Sequence, residues 1–264
     1  MGIGLAVSRA LAGRGAHVVI AARGHDAIDA ALRELSGDGH ARLQLDVSDT
    51  AAWELAVDEL FAGGPLHGLV AAAAVLGPVG PLDEVCTQGV LDGIAVNLVG
   101  TVLAMHYLLP ALRAAGGRAV TFSGGGATSP LPRYDTYAVS KAGVVRLTEN
   151  VAAAGAIEVN CVAPGFVATR IHDGTLRAGP DAAGGDYYRW TETQLRKGGF
   201  PGSEAAELVC FLLSDEARGI SGKLLSAEWD PWRDERFRAR LRTDASLATL
   251  RRIDGQCFGA VTRS

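Results

Sequence analysis

The sequence has few cysteines, and their arrangement suggests neither a metal site nor a disulfide framework. The four cysteines among 264 residues are far apart and form no CxxC pair or cluster with histidine: Cys86, Cys161, Cys210 and Cys257. A zinc site would need ligands at short, regular spacings. We therefore expect no bound metal, and free buried thiols in a reducing compartment.

Long apolar runs and an excess of basic charge are also missing. The longest apolar runs, near Leu69–Leu76 and Val159–Val162, are far shorter than the roughly 20 residues that a membrane-spanning helix needs. No basic region followed by an apolar run opens the sequence, so no signal peptide is expected. The formal net charge of -4 gives no reason to expect nucleic-acid binding. These features predict a soluble cytoplasmic protein without a membrane or nucleic-acid partner.

The residues that are abundant favour a globular α/β chain. Hydrophobic residues make up 48% and charged residues 20%, and a chain of this length can bury a sizeable core. Apolar runs typical of strands buried on both faces are His17–Ala22, Ala41–Leu45, Gly68–Ala73, Arg118–Phe122, Ile157–Val162 and Lys223–Ala227. Helical patterns between them are Leu5–Ala12, Asp26–Leu35, Thr50–Phe61, Val90–Ala114, Thr136–Ala153 and Glu204–Leu213. This alternation predicts a doubly wound parallel sheet.

Two stretches interrupt the alternation. Ala168–Pro201 is rich in Gly, Asp, Arg and aromatic residues, and it is interpreted either as a substrate-binding appendage or as irregular packing. Substrate contact is favoured because ligands of such sheets bind beyond the carboxyl ends of the strands. The tail Trp229–Ser264 includes an arginine-rich part, Arg233–Arg252, which is interpreted as a solvated helix rather than as a contact to an anionic substrate or subunit. We therefore expect one domain over residues 1–228 and an irregular C-terminal extension over 229–264.

The segment Tyr137-Ala-Val-Ser-Lys141 carries the clearest chemistry. A spacing of four puts both side chains on one helix face, and a nearby ammonium favours the phenolate and lowers the tyrosine pKa. Such a tyrosine can act as a general acid or base on a carbonyl or alcohol oxygen. The plain alternative is a surface lysine beside a half-buried tyrosine. The context favours chemistry, because a strand ending in Thr121–Gly126 precedes the pair and a strand running into Pro164-Gly165 follows it.

At the start of the chain, Gly2-Ile3-Gly4 precedes a helix and a strand, as in loops where a pyrophosphate approaches a helix N-terminus. With this segment, the chain from Gly2 to about Ala227 closely resembles the short-chain dehydrogenase/reductase family. The resemblance implies a Rossmann-like fold, a nicotinamide cofactor, and hydride transfer between NAD(P) and a secondary alcohol or ketone. The residues it implies at the cofactor are Gly2, Ile3, Gly4, Asp46, Val47, Ala73, Tyr137, Lys141, Pro164, Gly165, Val167 and Thr169. The residues it implies in catalysis are Asn97, Ser123, Tyr137 and Lys141.

The resemblance also implies roles. Tyr137 exchanges a proton with the substrate oxygen, Lys141 binds the ribose hydroxyls, and Asn97 holds a water of the proton relay. Asn97 has the alternative of being only a polar residue that breaks a helix. Asp46 has the alternative of capping the helix before Trp53, because Asp-x-Ser-Asp suits a helix N-terminus.

The sequence departs from the family pattern in three places. The family has a central strand before Gly2, and without it the sheet would have two unpaired edges and exposed apolar surface, so we expect the natural start to lie upstream. Where the family has its serine this chain has Gly124, and we assign that role to Ser123 rather than to Ser129. Where the family typically has Asn-Asn-Ala-Gly, this chain has Ala71–Ala74, so it lacks the amides that normally help to fix that strand.

The residues after the second family strand indicate the form of the cofactor. An acidic residue after the second family strand would bind the ribose of NAD, but Ala22 and Arg23 stand there, and a guanidinium can bind a phosphate, so NADP is expected over NAD. The alternative is a solvated Arg23.

A homodimer or homotetramer is expected through Val90–Ala114 and Thr136–Ala153. Rival functions are a non-catalytic dinucleotide-binding sensor or scaffold, and an epimerase, for which the C-terminal part is too short.

Overall fold

The computed structural model describes residues 2–62 and 64–251. The strands within these residues are Val19–Ala22 (β1), Ala41–Gln44 (β2), Gly68–Ala71 (β3), Arg118–Phe122 (β4), Glu158–Ala163 (β5) and Leu224–Ser226 (β6). The helices are Gly2–Ala12 (α1), His25–Leu32 (α2), Thr50–Ala62 (α3), Thr87–Ile94 (α4), Gly100–Ala115 (α5), Asp135–Ala153 (α6), Asp173–Ala183 (α7), Gly185–Arg196 (α8), Gly202–Leu213 (α9) and Glu235–Thr243 (α10). Each predicted strand and helix has a counterpart, so the predicted α/β fold with parallel strands is confirmed.

The sheet is divided between β1 and β3. β1 pairs only with β2, whereas the second sheet has the order β3-β4-β5-β6, and every pairing is parallel. The edges of β1 and β3 line the same cavity, which α1 borders with Val7 and Leu11. The predicted pair of unpaired edges is therefore present in the described part of the chain.

Helices cover both faces of the larger sheet because its strands alternate apolar side chains between two cores. On β4, Val120 and Phe122 pack into a cluster with α1 and α9, whereas Ala119 packs into a cluster with α3 and α5. Both faces of β4 are therefore buried, as its continuous apolar sequence predicted.

A helical run from Thr87 to Ala115 joins α4, a short π-helical segment (Ala95–Val99) and α5. By length and composition alone this run could cross a membrane, with a mean hydropathy of 1.6, which the short apolar runs of the sequence did not suggest. In this fold Ala104, Leu108 and Leu112 of α5 are buried in the core, and 33% of the most apolar 18 residues of the run is buried.

The stretch 168–201, for which substrate contact was favoured over irregular packing, is largely helical, whereas the described part of the tail, which was expected to be irregular, contains one helix. Residues 168–201 contain α7 and α8, and the tail contains α10. The expectation of a solvated tail helix is also wrong in part, because Leu241 and Trp232 are buried in the core with Phe211. The Asp234 carboxylate caps α10 by accepting hydrogen bonds from two backbone N–H groups. The interpretation failed because the arginines that suggested solvation flank a buried leucine.

The cysteines within the described residues are free thiols, and the expectation that they are buried is wrong for one of the three. Cys86 is exposed, and Cys161 and Cys210 are buried. Cys257 lies outside the described residues.

Candidate active site

One large cleft of about 2260 Å³ lies along the carboxyl ends of the strands and extends between the edges of β1 and β3. Most of the site residues predicted from the sequence line it, namely Gly2, Ile3, Gly4, Arg23, Asp46, Val47, Ala73, Ser123, Tyr137, Lys141, Pro164, Gly165, Val167 and Thr169. Asn97 is the exception, because it lies buried behind the cleft wall. The fold thus brings together residues that are far apart in the sequence.

Tyr137 and Lys141 lie one turn apart near the start of α6. The Lys141 Nζ lies 5.6 Å from the centroid of the Tyr137 ring. The same ammonium donates a hydrogen bond of 3.0 Å to the carbonyl oxygen of Phe122, the last residue of β4. Helix α6 and strand β4 together therefore fix the position of this buried charge.

Burial controls the protonation of both groups. It raises the pKa of Tyr137 well above its usual range, and the neighbouring Tyr187 raises it further. It lowers the pKa of Lys141 to about 8. The net shift of the Tyr137 pKa is therefore upward, and the expectation that Lys141 lowers it stays a prediction. The cost of burying a phenolate outweighs the effect of the ammonium at this distance.

Tyr137 packs directly against a glycine. A Cβ atom placed on Gly124 would lie 2.8 Å from both Cε1 and Cζ of the Tyr137 ring, and nearer still to the hydroxyl oxygen. Real Cβ atoms do not approach other atoms so closely. A serine at this position would therefore displace the tyrosine from its observed place.

Of the two serines considered from the sequence, only Ser123 lines the cleft. It is buried, and its N–H donates to the carbonyl of Val162 on β5. Because side chains alternate along a strand, Ser123 shares the sheet face of Thr121, whose hydroxyl is hydrogen-bonded to Thr148 of α6. Ser129 is exposed and lies outside the cleft.

Asn97 joins the segment after β3 to α6. Its side-chain oxygen accepts from the N–H of Val75, and its amide N–H groups donate to the carbonyl of Val75 and to the hydroxyl of Ser140. Both amide N–H groups are therefore used within the protein. These bonds hold the backbone of Val75 in place, although Ala71–Ala74 has no side-chain amides that could do so. The suggestion that Asn97 holds a relay water stays a prediction.

The N-terminus of α1 borders the cleft with backbone rather than side chains. Gly2 has a φ of +74°, and a Cβ placed on it would lie 3.7 Å from Cγ2 of Thr169. Gly4 faces Ala72 at an ordinary contact distance. The first N–H groups of a helix have no partner within the helix, so this narrow approach suits an anionic group.

At the far end of the cleft, Asp46 accepts hydrogen bonds from the backbone N–H and the hydroxyl of Ser48, and these bonds lower its pKa. The alternative that Asp46 caps α3 is wrong. The carboxylate that accepts hydrogen bonds from the first backbone N–H groups of α3, those of Ala51 and Ala52, is Asp49. Val47 packs tightly against Gly100 of α5.

A group of aromatic side chains in the cleft wall was not identified individually from the sequence. All four line the cleft: Phe166 directly precedes the stretch 168–201 that contains α7 and α8, and His172, Tyr187 and Trp190 belong to it. The only sequence signal was the aromatic content of the stretch 168–201. Periodicity could not reveal which rings face the cleft.

A parallel α/β fold with a tyrosine, a lysine and a glycine-lined helix N-terminus in one cleft defines a nicotinamide-dependent oxidoreductase. The family model described as enoyl-(acyl carrier protein) reductase matches residues 1–228. Dehydrogenase/reductase SDR family member 4 from Sus scrofa is 34% identical, with 84% of this chain and 80% of the relative covered. Cis-4-hydroxycyclohexanecarboxylate dehydrogenase from Sinomonas cyclohexanicum is also 34% identical, with 86% and 91% covered.

The chain belongs to the short-chain dehydrogenase/reductase family and is an NAD(P)-dependent oxidoreductase. Among solved structures it is similar to a point variant of actinorhodin polyketide ketoreductase, solved with NADPH. The TM-score is 0.76 at 26% identity, with 85% of this chain and 91% of that chain covered. The family predicted from the motifs is thereby confirmed.

Proposed function

We propose that this chain interconverts a secondary alcohol and a ketone, with Tyr137 as the group that exchanges the proton. The observation that carries the proposal is the placement of the Tyr137 hydroxyl and the Lys141 ammonium on neighbouring turns of α6 inside the cleft. The relative from Sinomonas cyclohexanicum is named for a ring-bound secondary alcohol, which is consistent with this substrate class.

In the reductive direction Tyr137 is the proton donor. Its pKa is raised by burial, so the phenol is protonated at neutral pH and can donate its proton to a developing alkoxide. We assign Lys141 to the ribose hydroxyls and to the electrostatic field at Tyr137. We assign Ser123 to a hydrogen bond with the substrate oxygen, because its hydroxyl lies on the face of the sheet that α6 covers.

The cleft also fits the cofactor. Gly2 and Gly4 leave the N-terminus of α1 open to a pyrophosphate. Because Gly2 has a positive φ, a residue with a Cβ atom at this position would strain the backbone. We assign Asp46 and Val47 to the adenine end. The turn from Pro164 to Thr169, with Ala73 nearby in the cleft lining, is assigned to the nicotinamide. When bound, the nicotinamide supplies or accepts the hydride.

NADP(H) is the proposed form of the cofactor. Arg23 is exposed in the cleft directly after β1, where its guanidinium can bind a 2′-phosphate. The Gln44 side chain donates a hydrogen bond of 3.0 Å to the Arg23 carbonyl and so holds the backbone there. Ala22, the last residue of β1, offers no carboxylate for the ribose of NAD.

We also propose that the chain acts as a homodimer or homotetramer. Large apolar side chains are exposed on the helices that the sequence suggested for self-association, namely Leu91 on α4, Val102 on α5 and Val139 on α6. A second copy would remove these side chains from water, which favours association.

A ketone and alcohol screen with NADPH, NADH and their oxidised forms tests the function, with cofactor absorbance as the readout. We expect turnover of at least one ketone, and a loss of about 10² to 10⁴-fold in Tyr137→Phe. Equal turnover by both proteins would contradict the proposed role of Tyr137. A parallel titration with NADPH identifies the rival, since a sensor would bind cofactor without turnover.

A further inference from the structure

The aromatic side chains of the cleft form a continuous wall, which we define as Phe166, His172, Tyr187 and Trp190. The Phe166 and His172 rings stack with centroids 3.9 Å apart. Trp190 meets Phe166 edge-on at 5.0 Å and lies 5.3 Å from Tyr187. Each ring touches the next, so the wall presents one apolar surface rather than scattered rings.

The wall reaches the proposed reaction centre. Tyr187 packs against Tyr134, which lies three residues before Tyr137, and Tyr187 and Tyr137 line the same cleft, so one end of the wall is near the group that we assign to proton transfer. Trp190 is 44% exposed although it stands in the cleft. A large aromatic side chain exposed inside a cleft has surface available for a ligand.

The protein holds this wall in place from the segment that precedes α6. The buried Tyr134 packs against Tyr187 with ring centroids 4.8 Å apart and donates a hydrogen bond to Thr175 of α7. Arg133 donates to the carbonyls of Asp181 and Ala182 at the end of α7. The wall and Tyr137 are therefore positioned by adjacent parts of one segment.

The wall is also uncharged at neutral pH. Burial lowers the pKa of His172, so its imidazole is neutral, and burial raises the pKa of Tyr187 to about 12. Neutral rings bind flat apolar groups well, because aromatic pairs add stabilisation beyond the area they bury.

From this arrangement we infer that the substrate is a ketone or alcohol carrying a flat aromatic ring beside the reacting carbon, with the ring packed on Tyr187 and Trp190. This inference rests on the proposed function for the identity of the reacting group. The aromatic ring is inferred from the wall: we place the reacting oxygen at Tyr137, and Tyr187 and Trp190 line the same cleft.

Acetophenone and methyl hexyl ketone, which have equal carbon numbers, separate a flat ring from a flexible chain. We expect wild-type kcat/KM to be higher for acetophenone. Trp190→Leu should reduce this preference about tenfold, mainly through KM, and leave methyl hexyl ketone nearly unchanged. Tyr188→Leu is the matched control, because it removes a neighbouring ring of α8 that does not line the cleft.

An unchanged preference in Trp190→Leu, or an equal loss in Tyr188→Leu, would overturn the inference. Calorimetric titration with acetophenone gives a second readout that needs no turnover. There, weaker binding in Trp190→Leu alone supports the wall, and equal affinity of wild type and Trp190→Leu overturns it. If neither ketone is reduced by the wild type, the proposed function fails, and the titration still decides whether the wall binds the ring.

Discussion

The hydroxyl end of the Tyr137 side chain packs directly against Gly124. Gly124, which follows Ser123, has no side chain at the point where the Tyr137 ring approaches the end of β4. A Cβ atom at Gly124 would lie 2.8 Å from two ring carbons of Tyr137, so the glycine is a requirement of the observed tyrosine position.

Gly124→Ala should therefore displace Tyr137 and lower kcat. A shift of about 1 Å in a reacting group can cost about 10²-fold in rate, and we expect a loss of that order. The measurement is steady-state ketone reduction together with the melting temperature, which separates displacement from unfolding. Gly125→Ala is the control, because its Cβ atom would meet only Leu131 at 3.4 Å. Equal activity of both variants would mean that Tyr137 does not need the space above Gly124.

Ser123→Ala should lower kcat by about 10²-fold, the typical cost of removing one hydrogen-bond donor from a developing oxyanion. Ser129→Ala should leave kcat near the wild-type value, because Ser129 is exposed outside the cleft. Single-turnover reduction of a ketone measures the two effects directly. The assignment fails if the loss is larger in Ser129→Ala.

The pH profile of ketone reduction should report Lys141. Its pKa is lowered to about 8 by burial, so the ammonium is charged below this pH and loses its proton as the pH rises through it. We expect kcat/KM, which follows the free enzyme, to decline above about pH 8. In Lys141→Arg the guanidinium stays protonated, and the decline should move to higher pH. The same profile for both proteins would exclude Lys141 as the titrating group.

Arg23→Ala should raise KM for NADPH by about tenfold or more, since hydrogen bonds to a charged group are worth about 1.5–3 kcal/mol. KM for NADH should change little, because NADH has no 2′-phosphate. Arg33→Ala is a matched control, because Arg33 is exposed near the end of α2 and outside the cleft. A wild-type preference for NADH, or equal losses with both cofactors, would show that Arg23 does not bind the phosphate.

Val102→Asp should weaken self-association, because it places a charge on an exposed apolar position of α5. Light scattering at micromolar concentration should find a dimer or tetramer for the wild type and a smaller species for the variant. Leu55→Asp changes an exposed apolar residue of α3 and should leave the assembly intact. A monomeric wild type would contradict the proposal.

Much of the fold could be predicted because its signals are local. Arg118–Phe122 was predicted with its observed bounds, since a strand with four of its five residues buried has a largely apolar sequence. The helix of Tyr137 and Lys141 was predicted within one residue at its start. The tail was misjudged because the burial of Leu241 depends on distant residues such as Phe211, which periodicity does not identify.

The sequence predicted that the candidate site residues lie close together, but not their electrostatics. Motif order brought Asp46, Tyr137 and Thr169 to one cleft, because parallel strands end at the same edge of a sheet. The pKa of Tyr137 could not be predicted from a spacing of four residues. It depends on how completely β4, α6 and Tyr187 exclude water from the hydroxyl, which only the packed structure determines.

The division of the sheet has a thermodynamic consequence. Arg23 and Asp46 follow strands of the two-stranded sheet, whereas Ser123 and Pro164 follow strands of the larger one. A ligand that lies along the whole cleft touches both, and so acts as a non-covalent cross-link between them. By mass action its binding raises the resistance of the fold to unfolding. Conversely, any change that loosens one sheet from the other weakens the affinity for that ligand.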